Sequence, residues 1–215
     1  MYTLYGHRGN EKDYIENTKD SIINCKYEGI EVDVHLTSDN KIILHHDPTF
    51  KRIYNFPHKI KNLELDYIKK NFDSILELKE LLIICNTNNK KLIIDIKEKT
   101  YEEIIFIIEM SLLYSKEIKY DKKNIIFLCW ENIIKPFKNI TYLKVIGNDY
   151  ISNKNIDIFK NELLFDGICL NYSASLRNID CINYIKSKNM LVNIYTNKDI
   201  ELINLSRIKP DFITL

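Results

Sequence analysis

The chain has few of the residues that interrupt or cross-link a fold, with five glycines, four prolines and five cysteines among 215 residues. No proline-rich linker, low-complexity tract or internal repeat divides it, so we expect one domain over residues 1–215. The odd number of cysteines and the absence of a C-x-x-C pair argue against zinc or disulfide redox chemistry. We therefore expect reduced cysteines in the core, at Cys25, Cys85, Cys129, Cys169 and Cys181.

Charge of one sign and long apolar runs are also lacking. The 31 basic and 30 acidic residues leave a formal net charge of +1, so no overall field attracts nucleic acid or an anionic membrane. No apolar run reaches the roughly 18 residues of a membrane span. The first residues also lack the basic stretch and apolar run of a signal peptide. The sequence therefore predicts a soluble, cytoplasmic protein without a transmembrane segment or a nucleic-acid partner.

Short runs of Ile, Val, Leu, Tyr and Phe alternate with longer amphipathic segments, which predicts strands alternating with helices. The predicted strands are 2–6, 30–36, 42–45, 92–96, 125–129, 143–146, 167–170, 191–195 and 212–215. The predicted helices are 17–27, 75–85, 101–114, 156–164, 179–188 and 199–208. About eight strand–helix repeats favour a parallel α/β fold.

An open doubly wound sheet and a closed barrel both satisfy this pattern. An open sheet that binds a nucleotide has a glycine-rich turn after its first strand, and the turn at 6–9 is too short and has the wrong residues. A barrel gathers its chemistry at the C-terminal ends of its strands, where ionisable residues recur in this chain. We predict a compact (β/α)₈ TIM barrel with short loops and a substrate loop at 47–63, the longest stretch without a strand or helix pattern.

All five histidines lie within the first 58 residues. His7 and His46 each follow a strand, so their side chains can reach a common centre and divide general acid and base roles at a phosphodiester. His45 and His46 must face opposite ways, and we select His46 because it ends its strand. His58 is interpreted as a structural residue.

Two acidic strand motifs indicate a cation site. Glu31 and Asp33 share one strand face with His35, and paired carboxylates inside a barrel favour a bound Mg²⁺ or Ca²⁺. The alternative is a solvated polar face, which fits poorly in a parallel strand buried on both sides. Asp95 and Lys97 share one face of the strand predicted at 92–96 and the residue after it. Asp95 could be a third ligand and Lys97 an anion contact, or the two could simply form an ion pair.

Other residues near the strand ends complete the candidate site. Arg8 offers a planar fork of donors for phosphate oxygens. Trp130 and Tyr195 end later strands, where they either line a substrate pocket or serve ordinary packing. Asn17 or Thr18 can cap the first helix, and capping is preferred to a role at the barrel mouth.

The ordered motifs resemble those of the glycerophosphodiester phosphodiesterase family of (β/α)₈ barrels. They are His7-Arg8-Gly9, Glu16-Asn17-Thr18, Glu31-x-Asp33, His46-Asp47-Pro48, Asp95-x-Lys97 and Tyr195-Thr196-Asn197. The resemblance implies metal-dependent hydrolysis of a small glycerophosphodiester to sn-glycerol 3-phosphate and an alcohol. It also implies roles for His7 and His46 as the acid–base pair, Glu31, Asp33 and Asp95 as ligands of one Mg²⁺ or Ca²⁺, and Arg8 and Lys97 as phosphate contacts.

The chain also departs from that family's usual motifs. Asp95 stands where the family usually has the longer Glu, and Trp130 stands where it often has Phe. Two alternatives therefore stay open, namely a lipid phosphodiesterase of lysophospholipase D or sphingomyelinase D type and a non-catalytic barrel that binds phosphoesters.

Overall fold

The structure, a computed structural model, describes residues 2–149, 151–198, 205 and 208–215. Within these residues the strands are β1 Thr3–Gly6, β2 Gly29–Leu36, β3 Ile42–Leu44, β4 Lys91–Ile96, β5 Ile125–Cys129, β6 Thr141–Gly147, β7 Gly167–Asn171, β8 Leu191–Tyr195 and β9 Phe212–Thr214. The helices are α1 Lys19–Ile23, α2 Lys51–Tyr54, α3 Leu65–Asn71, α4 Leu78–Thr87, α5 Tyr101–Glu117, α6 Asn153–Asn161, α7 Tyr172–Arg177 and α8 Ile179–Ser187, with 3₁₀ turns at Ile60–Asn62 and Lys122–Asn124.

Eight of these strands form a closed parallel barrel. The order runs from β2 through β4, β5, β6, β7, β8 and β9 to β1, and β1 pairs with β2 to close the ring. This closure confirms the predicted (β/α)₈ barrel and excludes the open sheet. Strand β3 is not a barrel strand, because it pairs antiparallel with β2 after a turn in which Asn40 has a φ of 57°.

Side chains alternate between the inner and outer face along each barrel strand, and this creates two apolar layers. Outward residues such as Val32 and Val34 pack beneath the helices. Inward residues form a smaller cluster at Tyr5, Ile93, Ile126, Leu128, Leu143, Val145 and Cys169. Burial on both faces explains why these strands are almost continuously apolar, and the inward polar residues lie above an apolar floor. All five cysteines are buried and free, as predicted.

The segment after β3 differs from the prediction. Residues 47–63 contain α2 and a 3₁₀ turn rather than an open substrate loop, and they pack with α3 around Phe50, Ile60 and Ile68. These helical pieces span too few residues to show a helical period in the sequence. The helix predicted for 199–208 lies largely outside the described residues. In the described part of the chain, no helix is both long and apolar enough to cross a bilayer.

Candidate active site

The barrel mouth contains a cavity of about 170 Å³ at the C-terminal ends of the strands. All nine residues selected from the sequence line it, namely His7, Arg8, Glu31, Asp33, His46, Asp95, Lys97, Trp130 and Tyr195. Five uncharged residues complete the lining, namely Leu128, Val145, Cys169, Asn193 and Thr214. The structure thus brings together predicted site residues separated by up to 188 positions in the sequence, from His7 to Tyr195.

Three buried carboxylates form the negative centre of the cavity. Glu31 and Asp33 project from β2, and the Cα of Asp33 lies in register with that of Asp95 on β4. One carboxylate oxygen from each residue lies within 4.8 Å of the others. Neighbouring parallel strands in register produce this cluster, because residues at equal height on one sheet face are neighbours.

Two cations partly neutralise the cluster. The Lys97 Nζ lies 2.8 Å from Asp33 Oδ1 and 2.5 Å from Asp95 Oδ2. The Arg8 Nε lies 3.1 Å from Asp33 Oδ2. Burial alone would raise the pKa of Asp33, but the nearby Lys97 and Arg8 charges outweigh it and hold the pKa well below its usual range. Asp33 is therefore ionised, and Lys97 is paired with both aspartates.

Glu31 is less well compensated. Its Oε2 accepts a hydrogen bond from the Arg8 backbone N–H at 3.0 Å and lies 4.0 Å from His7 Nε2. Burial and the neighbouring Asp33 charge raise the pKa of Glu31 to about 7. Burial, with repulsion from Asp33, also raises the pKa of Asp95. Three close oxygen donors with an unneutralised negative charge fit a hard divalent cation such as Mg²⁺ or Ca²⁺.

The two cavity histidines have matching carboxylate partners. The Nδ1 of His7 lies 2.7 Å from Glu11 Oε1, and the Nδ1 of His46 lies 2.7 Å from Asp47 Oδ1. Burial alone would lower the pKa of His7, but the Glu11 hydrogen bond and the Glu31 charge outweigh it and raise the pKa. A carboxylate at Nδ1 fixes the ring orientation and leaves Nε2 to exchange a proton with a ligand.

The other histidines have structural contacts. His45 packs on Phe50, with its Nε2 3.1 Å from the Thr49 carbonyl, and burial lowers the pKa of His45 to about 4. His35 is on the same strand as Glu31 and Asp33 but does not line the cavity, and its Nε2 is 3.2 Å from the His46 carbonyl oxygen. It therefore supports the backbone of His46. His58 stacks on Phe56.

Sequence reasoning missed the part that Asn17 plays in this site. Asn17 has a φ of 58°, its Nδ2 donates to Asp33 Oδ2 at 2.9 Å, and its Oδ1 accepts the Asp33 backbone N–H at 3.2 Å. Thr18 caps α1 by accepting the Ser21 backbone N–H. Of the two capping candidates, Thr18 is therefore the cap, and Asn17 holds Asp33. The available sequence signal is an Asn directly before the capping Thr, because Asn adopts the left-handed conformation more readily than most residues.

An ion-pair network also joins α2 to the site. Glu16 lies 3.0 Å from Arg8 Nη1 and 2.6 Å from Arg52 Nη2. The Nε of Arg52 lies 2.6 Å from Asp47 Oδ2, and Asp47 holds His46. The sequence could not place Arg52 here, because its position depends on the short helix that the periodicity did not reveal.

The aromatic residues form one wall of the cavity. The Trp130 Nε1 donates to Asp95 Oδ1 at 2.9 Å, and the Lys97 Nζ lies 5.6 Å from the centroid of the Trp130 ring. Gly147 has a φ of +66°, and a Cβ at this residue would lie 3.4 Å from the Trp130 ring and 3.8 Å from the Tyr195 hydroxyl. The backbone at Gly147 therefore adjoins both aromatic side chains.

Known proteins share this architecture. A glycerophosphodiester phosphodiesterase from Thermotoga maritima superimposes with a TM-score of 0.82 at 24% identity, covering 100% of this chain and 94% of that one. A phosphodiesterase from Oleispira antarctica, solved with the product sn-glycerol-3-phosphate, gives 0.80 at 16% identity, covering 99% of this chain and 92% of that one. At these identities the similarity shows the shared barrel fold.

Sequence comparison supplies the family. A curated Mycoplasma genitalium protein described as uncharacterized is 34% identical, and the match spans 44% of this chain and 44% of that protein. The model of the glycerophosphoryl diester phosphodiesterase family matches residues 7–161, which is more than half of the chain and includes every predicted site residue except Tyr195. The chain therefore belongs to the glycerophosphoryl diester phosphodiesterase family, as the motifs predicted.

Proposed function

We propose that the protein hydrolyses glycerophosphodiesters to sn-glycerol 3-phosphate and an alcohol, with a divalent cation and a histidine pair. One observation carries the proposal, namely that two carboxylate-held histidines, three clustered carboxylates and two basic side chains open on a single cavity. Family membership supports it, and the Oleispira antarctica relative was solved with this product.

The cation would be held by Glu31, Asp33 and Asp95, because their oxygens converge. The charge of Glu31 is also not fully neutralised by the basic groups near it. When bound, a Mg²⁺ or Ca²⁺ ion supplies electrostatic stabilisation of the negative charge that develops at phosphorus. The three carboxylates keep a defined orientation because neighbouring N–H groups hold them in place.

Arg8 and Lys97 bind and orient the anionic phosphodiester. Arg8 presents a guanidinium fork at the cavity wall, and Lys97 presents an ammonium group between two strands. Burial alone would lower the pKa of Lys97, but Asp95 and Asp33 outweigh it and raise the pKa, so Lys97 stays charged. Both cations therefore attract the phosphodiester into the cavity.

The two histidines move the protons. One histidine accepts the proton of the attacking hydroxyl at its Nε2, and the other donates a proton from Nε2 to the departing alcohol. Glu11 and Asp47 keep each Nδ1–H in place, so neither ring has to rotate between the two steps.

The test is to incubate the purified protein with glycerophosphocholine or glycerophosphoethanolamine, in Mg²⁺, Ca²⁺ or EDTA, with released glycerol 3-phosphate coupled to a dehydrogenase. We expect release that requires a cation. We expect His46→Ala to lower this release about 10³-fold while the circular dichroism spectrum stays unchanged. Equal release by folded His46→Ala protein would contradict the histidine assignment. Turnover of lysophosphatidylcholine alone would instead identify a lipid phosphodiesterase, and cation binding without any turnover would identify a binding barrel.

A further inference from the structure

Each of the three clustered carboxylates accepts a hydrogen bond from an uncharged N–H group. Glu31 accepts from the Arg8 backbone N–H at 3.0 Å, and Asp33 accepts from the Asn17 amide at 2.9 Å. Asp95 accepts from the Trp130 indole N–H at 2.9 Å. Neutral donors fix the direction of a carboxylate without cancelling its charge, which is the arrangement that second-layer partners provide at metal sites.

Trp130 is the one of these three donors that comes from the second half of the barrel. Asp95 has a short side chain, and its two oxygens have different partners, with Oδ1 bonded to Trp130 and Oδ2 bonded to Lys97. Removing the indole N–H would leave Lys97 as the main constraint. The Asp95 carboxylate could then rotate about its contact with Lys97, so its Oδ1 would no longer have a fixed direction.

The backbone of Trp130 is itself anchored by a residue of the neighbouring strand β6. The Lys144 ammonium group donates to the Trp130 carbonyl oxygen, and it lies 5.9 Å from the centroid of the Phe159 ring on α6. Lys144 is only 7% exposed, and burial lowers its pKa. Burying an ammonium group is costly, and at this position the group fixes the backbone that presents Trp130.

We propose that Trp130 is a positioning residue of the cation site, in which its indole N–H orients Asp95 and Lys144 fixes its backbone. The inference rests on the proposed cation-dependent function. If Trp130 served only in packing, the result would differ. Trp130 is 42% exposed, so Trp130→Phe would then leave the cation affinity unchanged.

The first experiment measures Mg²⁺ and Ca²⁺ affinity of the metal-free protein by calorimetry. We expect Trp130→Phe to weaken the affinity about tenfold while the melting temperature stays near that of the wild type. In an Asp95→Asn background the same substitution should cause no further loss, because Trp130 acts through Asp95. Tyr142→Phe is the matched control, since it removes a polar atom from a buried aromatic residue outside the cavity, and it should leave the affinity unchanged.

A second variant separates positioning from folding. We expect Lys144→Met to weaken the cation affinity severalfold without lowering the melting temperature, because Met fills a similar volume and removes a buried charge. A structural role alone would lower stability and leave the affinity of the folded protein unchanged. Trp130 is also the only tryptophan in the chain, so its fluorescence should respond to the cation in the wild type and not in Glu31→Gln.

The outcomes distinguish this inference from the proposed function. If the wild-type protein binds no cation, both are overturned. If it binds a cation and hydrolyses glycerophosphodiesters while Trp130→Phe binds equally well, only the positioning role fails. Additive losses for Trp130→Phe and Asp95→Asn would also overturn it.

Discussion

The two halves of the barrel mouth differ in charge. Strands β1 to β4 and the segments that follow them supply every charged or titrating side chain in the proposed chemistry, namely His7, Arg8, Glu31, Asp33, His46, Asp95 and Lys97. Among the described lining residues, β5 to β9 and their following segments supply Leu128, Trp130, Val145, Cys169, Asn193, Tyr195 and Thr214. The proposed cation and phosphate chemistry therefore uses one side of the cavity.

The neutral half influences the charged half. The uncharged half supplies no charge that would neutralise the carboxylates, and buried charges interact more strongly than they would in water. Burial and the neighbouring Asp33 charge raise the pKa of Glu31 to about 7, although the His7 and Lys97 charges act in the opposite direction. The comparison shows that the second half adds no charge to the cavity and donates one hydrogen bond to the carboxylate cluster, from Trp130 to Asp95.

Removing a histidine from the charged half should have the largest effect. We expect His7→Ala and His46→Ala each to lower the turnover rate about 10³-fold, because each removes one proton-transfer group. Release of glycerol 3-phosphate measures the rate, and circular dichroism checks the fold. His58→Ala is the control, because His58 stacks on Phe56 away from the cavity. A loss of less than about threefold in either cavity variant would contradict its catalytic role.

Placing a charge in the neutral half should break the asymmetry. We expect Val145→Asp to lower the free energy of unfolding by about 3 kcal/mol or more, because the new carboxylate is buried opposite other carboxylates. Urea denaturation measures the change. The isosteric but uncharged Val145→Thr should cost clearly less, and equal losses for the two variants would show that the charge is not the cause.

Removing the Glu31 charge should stabilise the metal-free protein. The folded-state pKa of about 7 lies above the ordinary 4.5, so folding favours the protonated carboxyl. Stability from this group is therefore full below about pH 4.5 and is lost as the pH rises through about 7. We expect Glu31→Gln to raise the free energy of unfolding by about 3 kcal/mol at about pH 8 and by less than about 1 kcal/mol at about pH 5, measured by urea denaturation in EDTA.

Asp33 provides the matched comparison for Glu31. Its pKa is held below the usual range by Lys97 and Arg8, so its contribution to stability is present above the unfolded-state pKa and is lost only in strong acid. Asp33→Asn should therefore destabilise the metal-free protein at both pH values. A stabilising Asp33→Asn, or a Glu31→Gln gain that is equal at both pH values, would contradict the charge distribution described above.

The smallest effect should come from the network that joins α2 to the site. Arg52 is 47% exposed at its side chain, so its ion pairs with Glu16 and Asp47 are screened by water. We expect Arg52→Ala to lower the turnover rate about threefold, in line with the modest energy of exposed ion pairs. Lys51→Ala on the same helix should leave the rate unchanged, and an Arg52→Ala rate equal to that of the wild type would remove the network from the account.

The sequence predicted the barrel well because its strands have simple requirements. A parallel strand buried on both faces must be almost entirely apolar, so Glu31, Asp33 and Asp95 were conspicuous in their strands. The antiparallel direction of β3 was not predictable, because side-chain alternation is the same in both orientations. The short helix α2 was missed because four residues are too few to show a helical period.

Most of the cavity residues could be selected because they lie in or just after a predicted strand, whereas the residues that hold them could not. Asn17 and Glu16 looked like a helix start, and only the folded chain shows that Asn17 hydrogen-bonds to Asp33. Glu11 carried no motif, although it lies 2.7 Å from His7 in the structure. Contacts between loops depend on the whole fold, so local patterns do not report them.

The most direct test of the central claim is turnover of glycerophosphocholine by EDTA-treated protein as Mg²⁺ or Ca²⁺ is added back, for the wild type and for Glu31→Gln. We expect no turnover by the stripped wild type, recovery that follows the filling of one cation site, and no recovery in Glu31→Gln. Full turnover by the stripped wild type, or recovery in Glu31→Gln equal to that of the wild type, would contradict the assignment of the cation site to these carboxylates.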